Sequence, residues 1–396
     1  MHDVHSDIRG PLYIEALKMQ EEGKKVLKLN TGNPATFGFP LPKSIEQALN
    51  NHIDEGVAYC DFKGMPAARE AICAYEQSKG IKGITPGDVF IGNGVSEVVS
   101  FALTPLLNPG DEVLVPTPSY SLWGNTVHLA GGVPVFYQCD EQAHWYPDIA
   151  DIRSKITEKT KAIVVINPNN PTGYLYTRRE MNQIRDMVKK YDLYLFSDEV
   201  YREFIYTGSP YISACHLEGI EENVVLIDSV SKRYSECGIR IGALITKNKE
   251  VRNAVMKFCQ ARLSPPLIGQ IAAEASLDAP EEYTRETYDE YVERRKCLID
   301  GLNRIPGVYS PIPMGAFYTV AKLPVDDSEK FCAWCLSEFN YEGETVMMAP
   351  AAGFYTTPGA GRNEVRIAYV LKKEDLVRAL FVLRKALEAY PGRVED

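Results

Sequence analysis

Seven short, strongly apolar and β-branched runs alternate with stretches of helical periodicity between residues 85 and 246, and this alternation constrains the fold more than any other feature. The runs are VFIG (89–92), EVLVP (112–116), VPVFY (133–137), KAIVVIN (161–167), LYLFSD (193–198), VVLID (224–228) and GALIT (242–246). They lack the in-out alternation of a strand with one wet face, so they suit strands buried on both faces of a mostly parallel sheet. Parallel neighbours need a covering crossover. The segment 180–191 supplies one, with Met181, Ile184, Met187, Val188 and Tyr191 expected on one helical face. The expected fold class is α/β, a three-layer α/β/α large domain with a mostly parallel, seven-stranded sheet.

The pattern changes outside that core. Residues 281–303 read as a long charged helix, a bridge towards short strands near 316–320 and 364–369. A final helix follows with Leu376, Ala379, Leu380, Leu383 and Leu387 on one face. The N-terminal arm is expected to pack with this part. The expected division is 1–44 for the arm and part of a small domain, 45–283 for the large domain, and 284–396 for the interdomain helix and the rest of a small α+β domain. A length of 396 residues suits two or three domains. No internal repeat is visible, and 350–361 (PAAGFYTTPGAG) reads as an ordered loop.

Charge and cysteine usage narrow the partners. Lys plus Arg number 43 against 53 Asp plus Glu, a net charge of -10 with no basic run, so neither nucleic acid nor an anionic membrane is expected to bind the surface as a whole. No apolar run reaches the ~18 residues of a membrane span. Residues 1–11 (MHDVHSDIRGP) show no apolar leader, and a cytoplasmic location is expected. Nine scattered cysteines, an odd number, read as free thiols in a reducing compartment. Cys332 and Cys335 form a CxxC at helical spacing, but no second pair or nearby His completes a four-ligand zinc site, so no metal is expected.

Six motifs carry chemistry. In DSVSKRYSECGIRIG (228–242) Lys232 follows a strand at the edge where open α/β sheets bind ligands, and can attack a carbonyl. Ser229 and Arg240 can hold a phosphate. SxSK alone fits a surface turn, and the other motifs reverse that reading. In SDEVYREF (197–204) Asp198 ends an apolar strand, where a carboxylate needs a cationic partner such as a protonated pyridine nitrogen; a helix cap is the plainer alternative. Tyr201, three residues on, can bond a phenolic ring oxygen. INPNNPTG (166–173) fixes Asn170 between Pro168 and Pro171, in reach of that oxygen and of a substrate carboxylate. In IGNGVSEVVSFAL (91–103) Gly94, Val95 and Ser96 open a helix and can cradle a phosphate. It is not a dinucleotide fingerprint, because Glu97 occupies the third glycine position, and no GxxxxGK[ST] exists. PTPSYSLW (116–123) supplies Tyr120 to stack on a flat ring, a core aromatic being the plainer alternative, and NEVRIAYV (363–370) supplies Arg366 for bidentate capture of a carboxylate, with a salt-bridged surface arginine as the alternative and Val365 and Ile367 facing the other way.

Taken with LNTGNP (29–34), YCDFKG (59–64) and PMGAFY (313–318), these motifs follow one another in an order that resembles the class I aminotransferases of the aspartate aminotransferase superfamily, the fold-type I pyridoxal-phosphate enzymes. The resemblance covers nearly the whole chain. It implies that Lys232 is the Schiff-base lysine and proton shuttle, Asp198 the partner of the pyridinium nitrogen, Tyr201 and Asn170 the ligands of the ring oxygen, and Tyr120 the stacking aromatic. Gly94, Val95, Ser96, Ser229 and Arg240 match the phosphate cup, Gly32, Asn170 and Arg366 the substrate carboxylate contacts. Tyr59 matches a tyrosine lent to the neighbouring subunit, which implies a homodimer with shared sites. DIRGP (7–11), GNPATFGFP (32–40), YCDFKG and ARLSPP (261–266) look most like the alanine aminotransferase branch. The expectation is alanine plus 2-oxoglutarate giving pyruvate and glutamate by a ping-pong cycle. An aspartate or broad-specificity (methionine or aromatic) aminotransferase, or a β-C–S lyase on the same fold, stays open. A PLP-binding DNA regulator is disfavoured by the absence of a basic helix-turn-helix. Arg262 and Arg9 are candidates for a second substrate carboxylate.

Overall fold

The computed structural model of the protein describes residues 10–140 and 144–394. A first strand, β1 (Lys25–Lys28), precedes the seven apolar runs, which become β2 (Val89–Asn93), β3 (Glu112–Thr117), β4 (Val133–Asp140), β6 (Thr160–Ile166), β7 (Tyr194–Asp198), β8 (Val224–Ser229) and β9 (Ile241–Ile245). The sheet has eight strands rather than seven. The addition, β5 (Tyr146–Pro147), is a two-residue antiparallel edge on β4, too short to leave a periodic trace in the sequence.

The strand order is β2-β9-β8-β7-β6-β3-β4-β5. Pairings among β8, β7, β6, β3 and β4 are parallel, whereas β9 runs antiparallel to both β2 and β8. Successive residues of β6 show why its run is continuously apolar: Ile163 and Val165 pack into one core layer, Ala162, Val164 and Ile166 into the other. The helix Arg178–Tyr191 starts with a reciprocal cap between Thr177 and Glu180 and buries Met181, Ile184, Met187 and Val188. Tyr191 departs from the expected face. It is the last helical residue before Asp192 turns to φ +50°, so it sits at the rim, 36% exposed, with the Lys190 ammonium 4.9 Å from its ring.

Beyond the large sheet lie the helix Glu281–Leu302, β10 (Tyr318–Lys322), β11 (Glu344–Met347), β12 (Ala349–Pro350), β13 (Glu364–Ala368) and the helix Lys373–Ala389. β1 pairs in parallel with β11, which ties the two ends of the chain together, and β10-β13-β12 form an antiparallel sheet. Leu376, Ala379, Leu380, Leu383 and Leu387 are all buried in the core that Leu298 and Leu302 share. Cys332 and Cys335 are buried in the helix Ser328–Ser337, where loss of water pushes both thiols up. No helix among the described residues is long and apolar enough to cross a membrane.

The sheet meets the helix Val95–Leu106 at a point only glycine allows. A Cβ on Gly242 of β9 would lie 2.5 Å from the Gly94 carbonyl carbon and 2.5 Å from the Val95 nitrogen, both backbone atoms. Gly242→Ala is therefore expected to cost about 1–3 kcal/mol of stability through overpacking. Denaturant unfolding of the two proteins checks this, and an unchanged midpoint would show that the backbone can move aside.

Candidate active site

Parallel β6, β7 and β8 end at one edge of the sheet, so the loops after Ile166, Asp198 and Ser229 converge there, where α/β sheets bind ligands. They open onto a cavity of about 820 Å³. Its wall includes Val95, Ser96, Tyr120, Asn170, Asp198, Tyr201, Ser229, Lys232, Arg240 and Arg366, together with Gly32 from the N-terminal part of the chain. Residues up to 336 positions apart in sequence, Asn30 and Arg366, thus meet around one space.

Lys232 lies in the short helix Val230–Arg233 that Ser229 caps by accepting from the Ser231 N–H. Its Nζ donates to the Gly32 carbonyl at 2.9 Å and to the Cys237 sulfur at 3.4 Å. Burial works against the ammonium, but the Tyr318 phenol and the Cys237 thiol outweigh it and hold Lys232 above the ordinary lysine value. At one end of the cavity, Gly94 (φ +76°) precedes the helix that opens at Val95, and a Cβ there would meet an Arg240 guanidinium nitrogen at 2.2 Å. Ser229 and Ser231 join their hydroxyls at 2.9 Å beside it. A helix N-terminus, a guanidinium and three serines form a concave anion receptor.

Asp198 is buried at the end of β7. Its Oδ2 accepts from the Trp123 indole at 3.0 Å and its Oδ1 from the Val200 N–H at 3.4 Å. A turn follows rather than a helix, so the capping alternative falls away. Burial raises the carboxyl to about 6, with the Trp123 and Val200 donors opposing and the Asp228 and Glu199 carboxylates adding to the rise.

Arg366, on β13, is 3% exposed and has no acidic partner among the described residues. Its Nη2 donates to the Asn30 carbonyl at 2.6 Å and its Nη1 to Asn170 Oδ1 at 3.2 Å, while Nε has no partner among the described residues. The Tyr318 and Phe354 rings lie 4.6 and 4.9 Å from the guanidinium carbon. Val365 and Ile367 are fully buried on the opposite side, as the strand period requires. The Tyr120 N–H donates to the Asn170 carbonyl at 3.0 Å, which fixes the 170 loop against the aromatic.

Two expected residues stand elsewhere. Tyr59 is 80% exposed and lines a different cavity of about 470 Å³. Arg262 lines that second cavity as well, bonded to Glu97 and to the Phe62 carbonyl, so within this chain it does not serve the Lys232 site. Arg9 lies outside the described residues. Sequence reading missed Trp123, Ser231, Cys237 and Tyr318, all placed by the fold at or against the cavity. Trp123 and Tyr318 ended quoted motifs, but no local pattern told that their polar tips face Asp198 and Tyr201.

Comparison with known proteins agrees with this geometry. Residues 24–383 match the family model of aminotransferase class I and II. The chain is 40% identical to the glutamate-pyruvate aminotransferase AlaA of Haemophilus influenzae, over 94% of each. It is 36% identical to the alanine aminotransferase of Mycobacterium tuberculosis, over 98% of this chain and 92% of that one. Among solved structures, the alanine aminotransferase of Pyrococcus furiosus superposes with a TM-score of 0.89 at 35% identity, covering 98% of both chains. The aspartate aminotransferase of Thermotoga maritima also gives 0.89, at 27% identity over 98% and 99%. The chain belongs to the class I and II aminotransferases, pyridoxal-phosphate enzymes that act on amino acids and 2-oxo acids.

The raised carboxyl of Asp198 has a stability consequence in the cofactor-free protein. The folded chain holds this proton more tightly than the unfolded chain, so the contribution is complete below the ordinary value of 3.8 and is lost as pH rises through about 6. Relative to Asp198→Asn, the parent is expected to lose up to about 3 kcal/mol across that window. Unfolding both proteins without cofactor at about pH 4.5 and pH 7.5 checks it: the Asn variant should gain on the parent at the higher pH, and a pH-independent difference would refute the shift.

Proposed function

We propose that the cavity holds pyridoxal 5′-phosphate and that the chain transfers an amino group between L-alanine and 2-oxoglutarate, giving pyruvate and glutamate. The observation that carries this reading is Arg366: a buried guanidinium that has no carboxylate partner and no partner for its Nε among the described residues, on the same cavity as an amine. The other residues fit the cofactor. The hollow at Gly94, which a Cβ would fill, takes the phosphate together with Val95, Ser96, Ser229 and Arg240. Asp198 takes the protonated ring nitrogen, Tyr201 and Asn170 the ring oxygen, and Tyr120 the ring face.

When bound, the cofactor supplies an electron-withdrawing ring that stabilises the charge left at the amino acid Cα. The side chains do the rest. Arg366 and Asn170, with Gly32, fix the α-carboxylate, and the aromatic faces of Tyr318 and Phe354 keep water from the guanidinium. Lys232 would hold the cofactor through its amine and, freed when the substrate amino group takes its place, would move the proton released at Cα. Asp198, ionised opposite a cation, would keep the ring nitrogen protonated.

Names carried by relatives support the substrates: the H. influenzae and M. tuberculosis proteins are alanine or glutamate-pyruvate aminotransferases. Exposure of Tyr59 at 80% and Val57 at 91% supports a homodimer in which Tyr59 reaches the partner's phosphate site. Nine free thiols support a reducing, cytoplasmic setting. Pairing of β1 with β11 supports a small domain drawn from both chain ends, with 45–283 as the large one.

A panel of alanine, aspartate, methionine and phenylalanine against 2-oxoglutarate tests the substrates, with alanine expected to turn over fastest. Inactivity with alanine would overturn the substrate while leaving the class. Lys232→Ala should lower turnover by at least about 10³-fold. Arg366→Lys keeps the charge but loses the planar fork, and kcat/KM for every amino acid is expected to fall about 10- to 100-fold. Selective loss for one substrate alone would place Arg366 at the side chain rather than the α-carboxylate.

A further inference from the structure

Tyr318 touches more of the site than any role given so far explains. The Tyr201 hydroxyl donates to the Tyr318 hydroxyl at 3.1 Å, and the two rings meet edge to face at 5.6 Å. The Tyr318 oxygen sits directly above Gly32, where a Cβ would come within 1.8 Å of it. The carbonyl of that same glycine accepts from Lys232 Nζ, and the Arg366 guanidinium lies over the Tyr318 ring. Phe317, with ring centroid 4.9 Å away, holds the phenol in place.

A phenol has one proton to donate. In this structure Tyr201 gives its proton to Tyr318. If Tyr201 is to meet the cofactor's ring oxygen, that proton must turn towards the ring, and the buried Tyr201 oxygen is left as an acceptor without a donor. The Tyr318 hydroxyl is already in contact and has a proton of its own. We propose that Tyr318 is a positioning residue for Tyr201: on cofactor binding the hydrogen bond between the two phenols reverses, Tyr318 donating to Tyr201 while Tyr201 donates to the ring oxygen. No proton leaves the pair, and both oxygens stay satisfied. A donor behind Tyr201 polarises it, which strengthens its bond to the ionised ring oxygen. This rests on the assignment of Tyr201 to the ring oxygen made above.

The consequence is spectroscopic as well as kinetic. A better-stabilised ring oxygen makes the neighbouring nitrogen linked to Lys232 easier to deprotonate, so the bound cofactor's absorption band titrates at lower pH. In the substrate-free holoenzyme, Tyr318→Phe should raise the pH midpoint of that band by about half a unit to one unit, the size expected for one net hydrogen bond. Tyr201→Phe should raise it further, and the double variant should match Tyr201→Phe alone, because on this inference the effect of the Tyr318 hydroxyl on this band is routed through Tyr201. Tyr318→Phe retains the ring against Arg366 and Phe317. An unshifted midpoint in Tyr318→Phe, or additive shifts in the double variant, would overturn the inference. A Tyr201→Phe band that titrates as the parent would remove the ring-oxygen assignment and the inference with it; a shift in Tyr201→Phe with none in Tyr318→Phe removes the inference alone.

Discussion

The carboxyl ends of β7 and β8 are held together by charges buried out of water, and the site depends on them. Arg202 bonds Glu76 at 2.5 Å, Asp228 at 3.0 Å and Glu199 at 3.3 Å, and Arg233 bonds Asp228 at 2.6 Å, all with side chains at most 5% exposed. Glu199 follows Asp198, Asp228 precedes Ser229, and Arg233 follows Lys232. Every residue proposed to hold the cofactor on these two strand ends is thus one peptide bond from a member of the network. Desolvation of such charges costs several kcal/mol each, so the network adds little net stability, but removing one partner strands the others. Burial works against the Asp228 carboxylate, and Arg202 and Arg233 overcome it to hold the group below its usual value. Glu76 is still pushed up to about 7, because its burial, with the Asp228 carboxylate adding to it, outweighs the Arg202 guanidinium. What the network provides is register: the two strand ends have one mutual position at which all these charges are answered.

The same contrast between whole and part governs the electrostatics. A chain at -10 repels polyanions, yet among the described residues the cavity wall carries Lys232, Arg240 and Arg366 against a single carboxylate, Asp198. Low dielectric around the buried Arg366 magnifies its field at short range, while the acidic surface is screened by salt within about 10 Å. Net charge therefore excluded partner classes without describing the site.

Much of the fold was legible because burial on both faces writes itself into sequence as continuous β-branched runs, and all seven runs became strands. β5 was not, since two residues at an edge carry no period. The site was legible where a residue's chemistry and its strand-end position coincide, as for Asp198 and Lys232. It was not legible where function depends on a contact across the fold. Trp123 reads as a core aromatic and is one, fully buried against Phe196, yet its indole nitrogen also reaches Asp198. Tyr318 belongs to β10, far from Tyr201 in sequence, and only the packing of the antiparallel sheet onto the large one brings their hydroxyls together. Arg262 follows its structural alternative: an arginine near a family motif is a fair candidate for an anion, but Glu97 stands in reach and pairs with it.

The acceptors that hold the cations of the cavity explain why those cations remain usable. Arg366 is anchored by the Asn30 carbonyl and Lys232 by the Gly32 carbonyl, both from the segment that leaves β1. A neutral carbonyl orients a donor without cancelling its charge, whereas a carboxylate in the same place would leave nothing for a substrate. Because β1 pairs with β11, those two carbonyls arrive only when the beginning and end of the chain have packed together. The Arg366 guanidinium on β13 and the Lys232 amine after β8 are therefore oriented by one short piece of backbone, so a displacement of residues 30–32 would misplace both at once. That is the geometry an enzyme needs if the carboxylate and the amino group of one small molecule must be held at a fixed separation.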